Sequence, residues 1–182
     1  MALTAAQDRV VTAAVQLFAR NGVGGTSLQM IADELGVTKA AVYHQFRTKD
    51  EIVLAAAERE LMQLVPLLAA AEGQPTARQA RETLLAGMVD IAVEGRRTVG
   101  SILGDPGVVD FFDDHDLFRD VMTRMRHILA TKNEAAASRV RPALLVAAIS
   151  GAVLHPFVND VDDKTLRDEL LRLGRRYLGL PG

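Results

Sequence analysis

Apolar residues recur at three- and four-residue spacing along almost the whole of this 182-residue chain. A period near 3.6 belongs to a helix laid against a core, whereas a half-buried strand needs a period of two. Val10, Ala14, Leu17 and Phe18 share one helical face, as do Leu28, Ile31, Ala32 and Leu35, and again Leu117, Val121, Met125, Ile128 and Leu129. No Asn-Gly or Asp-Gly turn sits between alternating apolar runs, so hairpins lack their signal. The pattern predicts an all-α fold of about nine helices, a three-helix N-terminal unit followed by a helical bundle.

Local punctuation predicts the boundaries. The first helix runs from about Thr4 to Asn21 and Gly22 closes it, since glycine enters left-handed backbone without a Cβ clash. Thr26 with Gln29, Thr48 with Glu51 and Thr76 with Gln79 have capping-box spacing, in which two side chains reciprocally satisfy orphan amides. They open a short helix from Ser27 to Leu35, a long fourth helix and a fifth reaching about Glu94. Thr38 caps a third helix, Lys39 to Phe46. Pro66 predicts a kink in the fourth helix or its end before about Glu72. Two short helices are expected near Thr98 to Leu103 and from Asp105-Pro106 through Phe112, then a longer one down to about Ala130. After a polar connector from Thr131 to Ser138, the stretch Pro142 to Leu154 is apolar or small on most sides and is expected to be buried on most sides. The last helix, about Asp163 to Leu178, places Arg172, Arg175 and Arg176 at the negative end of its dipole.

Composition acts as a filter. With 49% hydrophobic and 24% charged residues the chain is globular in type, and its lack of cysteine removes disulfides, thiolate nucleophiles and Cys-based metal centres. The N-terminus lacks the basic and apolar regions of a secretory signal. The longest apolar stretch, Ala143 to Leu154, falls short of the roughly 18 residues of a membrane span, so a cytoplasmic protein without a membrane partner is expected. A net charge of −2 gives no global case for nucleic acid. Met1 to Asp50, however, carries five Lys and Arg against four Asp and Glu, and the placement of charge matters more than its total.

The strongest local signal is Ser27 to Phe46: a helix, the turn Gly36-Val37-Thr38, and a second short helix. This is helix-turn-helix spacing. Ala32 must be small where the helices cross, and Ile31, Leu35, Val37 and Val42 are expected to hold the pair to the first helix. In such a motif the second helix enters the major groove while the first crosses the backbone. Two short helices around a glycine are also ordinary packing in helical proteins, so the spacing alone leaves both readings open.

The residues VVTAAVQLFARNG from Val10 to Gly22 and TSLQMIADELGVTKAAVYHQFRTKDEI from Thr26 to Ile52 resemble, in register and without gaps, the N-terminal domain of the TetR family of bacterial transcriptional regulators. The resemblance covers about the first quarter of the chain. It implies a repressor released from a palindromic operator by a small effector, with no cofactor. It also implies a homodimer through the last two helices, with residues 1–50 as the DNA-binding domain, continuing into the fourth helix, and 51–182 for effector binding and dimerisation. Carried over by position, Thr26 and Ser27 correspond to the phosphate-contacting start of the second helix. Thr38, Lys39 and Ala41 correspond to positions near bases or flanking phosphates, Tyr43 to a phosphate-binding hydroxyl and Lys49 to a phosphate-binding cation. The chain departs from the family at Tyr43-His44-Gln45-Phe46, where His44 replaces an aromatic and Gln45 the usual histidine; Gln45 can donate to phosphate or pair with adenine.

An effector pocket is expected among the middle helices, walled by Leu64, Leu68, Leu84, Met88, Ile91, Phe111, Phe112, Phe118, Met122, Met125 and His155, an apolar lining with few polar groups. Such a stripe is equally the make-up of a plain core. Asp110, Asp113, Asp114, His115 and Asp116 are residue types that ligate cations, but the same run caps helices around a loop, and no metal is expected. Gly22 to Gly25 follows a helix and not a strand, which is the wrong context for a dinucleotide. No hydrolase elbow or metalloprotease helix occurs and the four histidines lie in unrelated contexts, so no enzyme is expected. The competing reading is a helical dimeric scaffold whose helix-turn-helix does not read DNA, in keeping with the pI near 6.1.

Overall fold

The computed structural model describes residues 3–96, 115–130 and 137–181. Among the described residues are eight α-helices and no strand: α1 (Ala5–Asn21), α2 (Leu28–Leu35), α3 (Lys39–Gln45), α4 (Lys49–Glu72), α5 (Ala77–Gly95), α6 (Asp116–Leu129), α7 (Ala137–Ala152) and α8 (Asp163–Leu178), with a 3-10 turn at Pro156–Val158. The short helices expected near 98–103 and 105–112 lie outside the described residues. No described helix is long and apolar enough to cross a membrane.

Two compact units divide the chain, one of residues 1–60 and 97–114 and the other of 61–96 and 115–182. In the first, α1, α2 and α3 pack on one another. Phe18, Ile31, Ala32, Val42 and Ile52 are fully buried there, as the helical periodicity requires. Val37 is exposed instead of sealing the pair; the left-handed Gly36, φ 64° and ψ 32°, ends α2 and turns the next residue outward.

Capping differs in detail from the expected boxes. Thr4 and Gln7 form a full capping box, Gln7 N donating to Thr4 Oγ1 at 3.2 Å and Thr4 N to Gln7 Oε1 at 3.1 Å. Thr26 and Gln29 form none. The Thr26 hydroxyl donates to the Gly22 carbonyl at 2.9 Å, Ser27 caps α2 by accepting from Met30 N at 3.2 Å, and Gln29 turns to Asp33. Thr48 accepts from Glu51 N at 3.1 Å, while the Glu51 carboxylate reaches one residue further back, to Arg47 N at 2.7 Å. Thr76 caps α5 through Gln79 N.

Pro66 does not stop α4, which continues to Glu72. A proline forfeits one intrahelical donor, and here strong helix formers, Leu67, Leu68 and the alanines after them, carry the helix on. α7 likewise begins at Ala137 and contains Pro142, five residues into the helix and not at its start.

In the second unit α5 packs against α6, α7 and α8. It runs antiparallel to α8, with ion pairs Glu82 to Arg175, Asp90 to Arg167 and Arg96 to Asp163 in descending order. Between the first two pairs the helices approach closely. A Cβ on Gly174 would lie 2.6 Å from Leu85 Cδ1, so the buried Leu85 side chain would have to shift to admit one. Arg81 donates to the carbonyls of Ile128 (3.2 Å) and Ala130 (2.8 Å), closing the end of α6. Arg124 holds the Glu72 carboxylate in a two-pronged bond, both arms 2.8 Å. That bond draws Glu72 below its usual carboxylate range and raises Arg124 above its own.

The expected burial of α7 is not met within the chain. Val140 (64%) and Leu144 (55%) are exposed, together with Ala147, Gly151 and Leu154, and Leu173 of α8 is half in solvent. Spaced four, three and four residues apart, Val140, Leu144, Ala147 and Gly151 form a single stripe on α7, and Leu154 lies in the turn just after it.

Candidate nucleic-acid interface

The first unit presents α3 outward. Val42 is its one buried side chain, while Lys39, Ala40, Ala41, Tyr43 and His44 are exposed and Gln45 is half-buried. Thr38 opens the helix with its hydroxyl accepting from Ala41 N at 3.2 Å. Seven residues give barely two turns, too few for a helix to persist alone, so α3 owes its shape to this cap and to Val42 and Phe46 in the core. Its solvent face is therefore free of packing duties and can be composed for a partner.

That face carries donors and cations. The Arg47 guanidinium stands 5.4 Å from the centre of the Tyr43 ring, within cation–π range. His44 and Gln45 are neighbours, Gln45 Nε2 lying 3.4 Å from His44 Nδ1. Glu34, the acid nearest in sequence to the turn, is engaged by Arg20 at 3.0 Å.

At the start of α2 the exposed Ser27 caps Met30 and leaves the amides of the first turn pointing out of the helix, the arrangement that suits an anion. Thr26 does not share that surface. It is 3% exposed with its hydroxyl spent on Gly22, so its side chain braces the loop and is not offered to a phosphate. Lys49 is half-buried, and its ammonium donates to the Val23 carbonyl at 2.8 Å. Of the nine positions singled out from sequence, Ser27, Thr38, Lys39, Ala41, Tyr43 and His44 are exposed and Gln45 partly so. Arg47 was missed. Its four-residue spacing from Tyr43 was the available signal.

Of the apolar positions proposed to line an effector pocket, those on α4, α5 and α6 fall in the second unit. Leu68, Leu84, Met88 and Met125 are buried, and Leu64, Ile91, Phe118 and Met122 half-buried. Phe111 and Phe112, like Asp110, Asp113 and Asp114, lie outside the described residues. His155 is no wall residue. It is exposed, caps the 3-10 turn by accepting from Phe157 N at 3.3 Å, and meets the Phe157 ring edge to face at 4.4 Å. Among the described residues no group of three or more His, Asp or Glu is placed to hold a metal ion.

Residues 10–56 match the family described as bacterial regulatory proteins, tetR family. The uncharacterized HTH-type transcriptional regulator YerO of Bacillus subtilis is 36% identical over 52 residues, 29% of this chain and 18% of its own length. The HTH-type nicotine-responsive transcriptional repressor HdnoR of Paenarthrobacter nicotinovorans is 41% identical over 59 residues, 32% of this chain and 30% of its own. Both matches thus span less than a third of the relative. Over the whole chain the fold is similar to that of a bacterial regulatory protein in the tetR family from Rhodococcus RHA1, with TM-score 0.77 at 16% identity, covering 98% of this chain and 100% of the other. Residues 10–56 thus carry the N-terminal domain of the tetR family of bacterial regulatory proteins, and the chain as a whole shares the fold of a protein described as a member of that family.

Proposed function

We propose that the chain is a homodimeric transcriptional repressor of the cytoplasm, not an enzyme, that binds a roughly palindromic operator and leaves it when a small apolar effector binds. The observation that carries this reading is the outward face of α3, where Thr38, Lys39, Ala41, Tyr43 and His44 stand exposed on a helix whose other side is core. In this reading Lys39, Ala41, His44 and Gln45 face the major groove. Ser27, Thr38, Tyr43 and Arg47 meet the backbone, because phosphate contacts position a protein and base edges specify its site. Residues 1–50 form the DNA-binding domain, continuing into α4, and 51–182 bind effector and dimerise. The apolar residues of α4, α5 and α6, Leu64, Leu68, Leu84, Met88, Ile91, Phe118, Met122 and Met125, surround the effector. The stripe Val140, Leu144, Ala147 and Gly151, with Leu154 just after it, supports a second copy as the cover for α7, since an apolar surface of that kind is rarely left open.

Release requires that the effector prefer one dimer geometry over the other, with a coupling of about 1 to 3 kcal/mol. Recognition helices that no longer match half-sites one helical turn, or a multiple, apart then lose the operator. Fluorescence anisotropy on the protein's own promoter fragment and on an unrelated one, at two salt concentrations, tests the reading. A preference of roughly 10³-fold or more is expected. Equal, weak binding to both fragments and to a random-sequence pool would replace it with the scaffold reading.

A further inference from the structure

The basic residue at the start of α4 is turned into the fold. Lys49 Nζ donates to the Val23 carbonyl at 2.8 Å, across 26 positions of sequence. The same carbonyl accepts the Thr26 amide at 3.3 Å, and the Thr26 hydroxyl holds the Gly22 carbonyl at 2.9 Å. Gly22 itself stands at φ 73° and ψ 162°, backbone open essentially to glycine alone. The loop between α1 and α2 is thus fixed by three hydrogen bonds, one of them charge-assisted. It delivers the chain straight to Ser27, the cap of α2.

We infer that Lys49 is a positioning residue for DNA binding: it ties the first turn of α4 to the Val23 carbonyl and so sets where the N-terminus of α2 stands against the DNA backbone. It does not act as a phosphate contact itself. A half-buried ammonium already bonded to a carbonyl has to break a strong bond to reach a phosphate, whereas the exposed Lys39 and Arg47 do not. The tether also makes α2 responsive to α4. A shift at the start of α4 moves the Val23 carbonyl, then the Thr26 amide, then the cap. This inference rests on the DNA-binding reading above.

The test is Lys49→Met in the full chain, which keeps the stem and removes the ammonium. Circular dichroism verifies folding, hydrogen exchange reads the Thr26 amide in the free protein, and anisotropy over a salt series reads promoter affinity. Expected are Thr26 exchange and promoter dissociation constant each raised about tenfold, the scale of a lost charge-assisted hydrogen bond. The slope of log affinity against log salt should equal that of the wild type. A slope smaller by about 1 makes Lys49 a phosphate contact and overturns the inference, as does unchanged Thr26 exchange. Lys49→Gln, a neutral donor, is the second variant should the methionine protein not fold. An unchanged slope is again expected, and one smaller by about 1 overturns. If the wild type shows no promoter preference, the DNA reading fails, while Thr26 exchange still decides the tether, so the two failures are distinguishable.

Discussion

Arg47 shows how one side chain acquires a role from its neighbour. Its guanidinium lies 5.4 Å from the centre of the Tyr43 ring, which in the proposed reading pairs a cation with the hydroxyl that meets the DNA backbone. Arg47→Ala should weaken binding to specific and unrelated DNA alike and lower the salt slope by about 1, read by anisotropy over a salt series. Gly174 carries a different constraint. A Cβ there would meet the buried Leu85 at 2.6 Å, whereas at Gly87 it would meet Leu67, which is half-buried. Leu67 is partly in solvent, whereas Leu85 is packed on all sides in the core. Gly174→Ala should therefore cost about 1 to 3 kcal/mol in denaturant unfolding, more than Gly87→Ala. Residues whose role is local were legible in the sequence: Gly36 had to be glycine for the left-handed turn it makes, and Val42 had to be core. Thr26 and Lys49 were not, because the carbonyls that hold them belong to a loop whose path no periodicity describes.

Helix identities followed from spacing, and their ends were less readable. A proline weighs against continuation but is one residue among many, so α4 and α7 run through Pro66 and Pro142 where flanking residues favour the helix. Since Pro66 is exposed and forfeits a backbone bond, Pro66→Ala should raise the melting temperature, and an unchanged or lower value would show that the helix around it is shaped to the proline. Between elements, α6 is tied to the end of α4 by Arg124 and Glu72. The bond from Arg124 lowers the Glu72 pKa, so its contribution is complete above the usual carboxylate range and is lost as pH falls through the lowered value. Glu72→Gln should thus be less stable than wild type at neutral pH by no more than about 1 kcal/mol, the pair being partly solvent-exposed. The difference should vanish in acid, as denaturation curves at several pH values will record.

For the molecule as a whole, periodicity revealed that α7 was apolar nearly all round but could not say what covers it, because one sequence reads the same whether a face meets its own chain or another copy. Gly151 separates the two cases. A Cβ there has nothing within 4 Å, so Gly151→Leu should leave the fold and its far-ultraviolet circular dichroism intact while shifting the proposed dimer toward monomer in light scattering. A variant that stays fully dimeric would place the interface elsewhere. The exposed face of α3 that we propose for DNA was largely visible in the sequence for the converse reason: positions that α3 does not need for its own packing are free to meet a partner.

The chain has two tyrosines and no tryptophan, and the two compact units hold one tyrosine each, Tyr43 near Arg47 and Tyr177 near Arg141. The protein thus carries its own pair of optical reporters. Replacing Tyr177 by phenylalanine leaves a chain whose tyrosine emission comes from α3 alone, so quenching by DNA can be followed without a dye. Replacing Tyr43 instead leaves emission from α8, a label-free view of the helical bundle while candidate effectors are titrated.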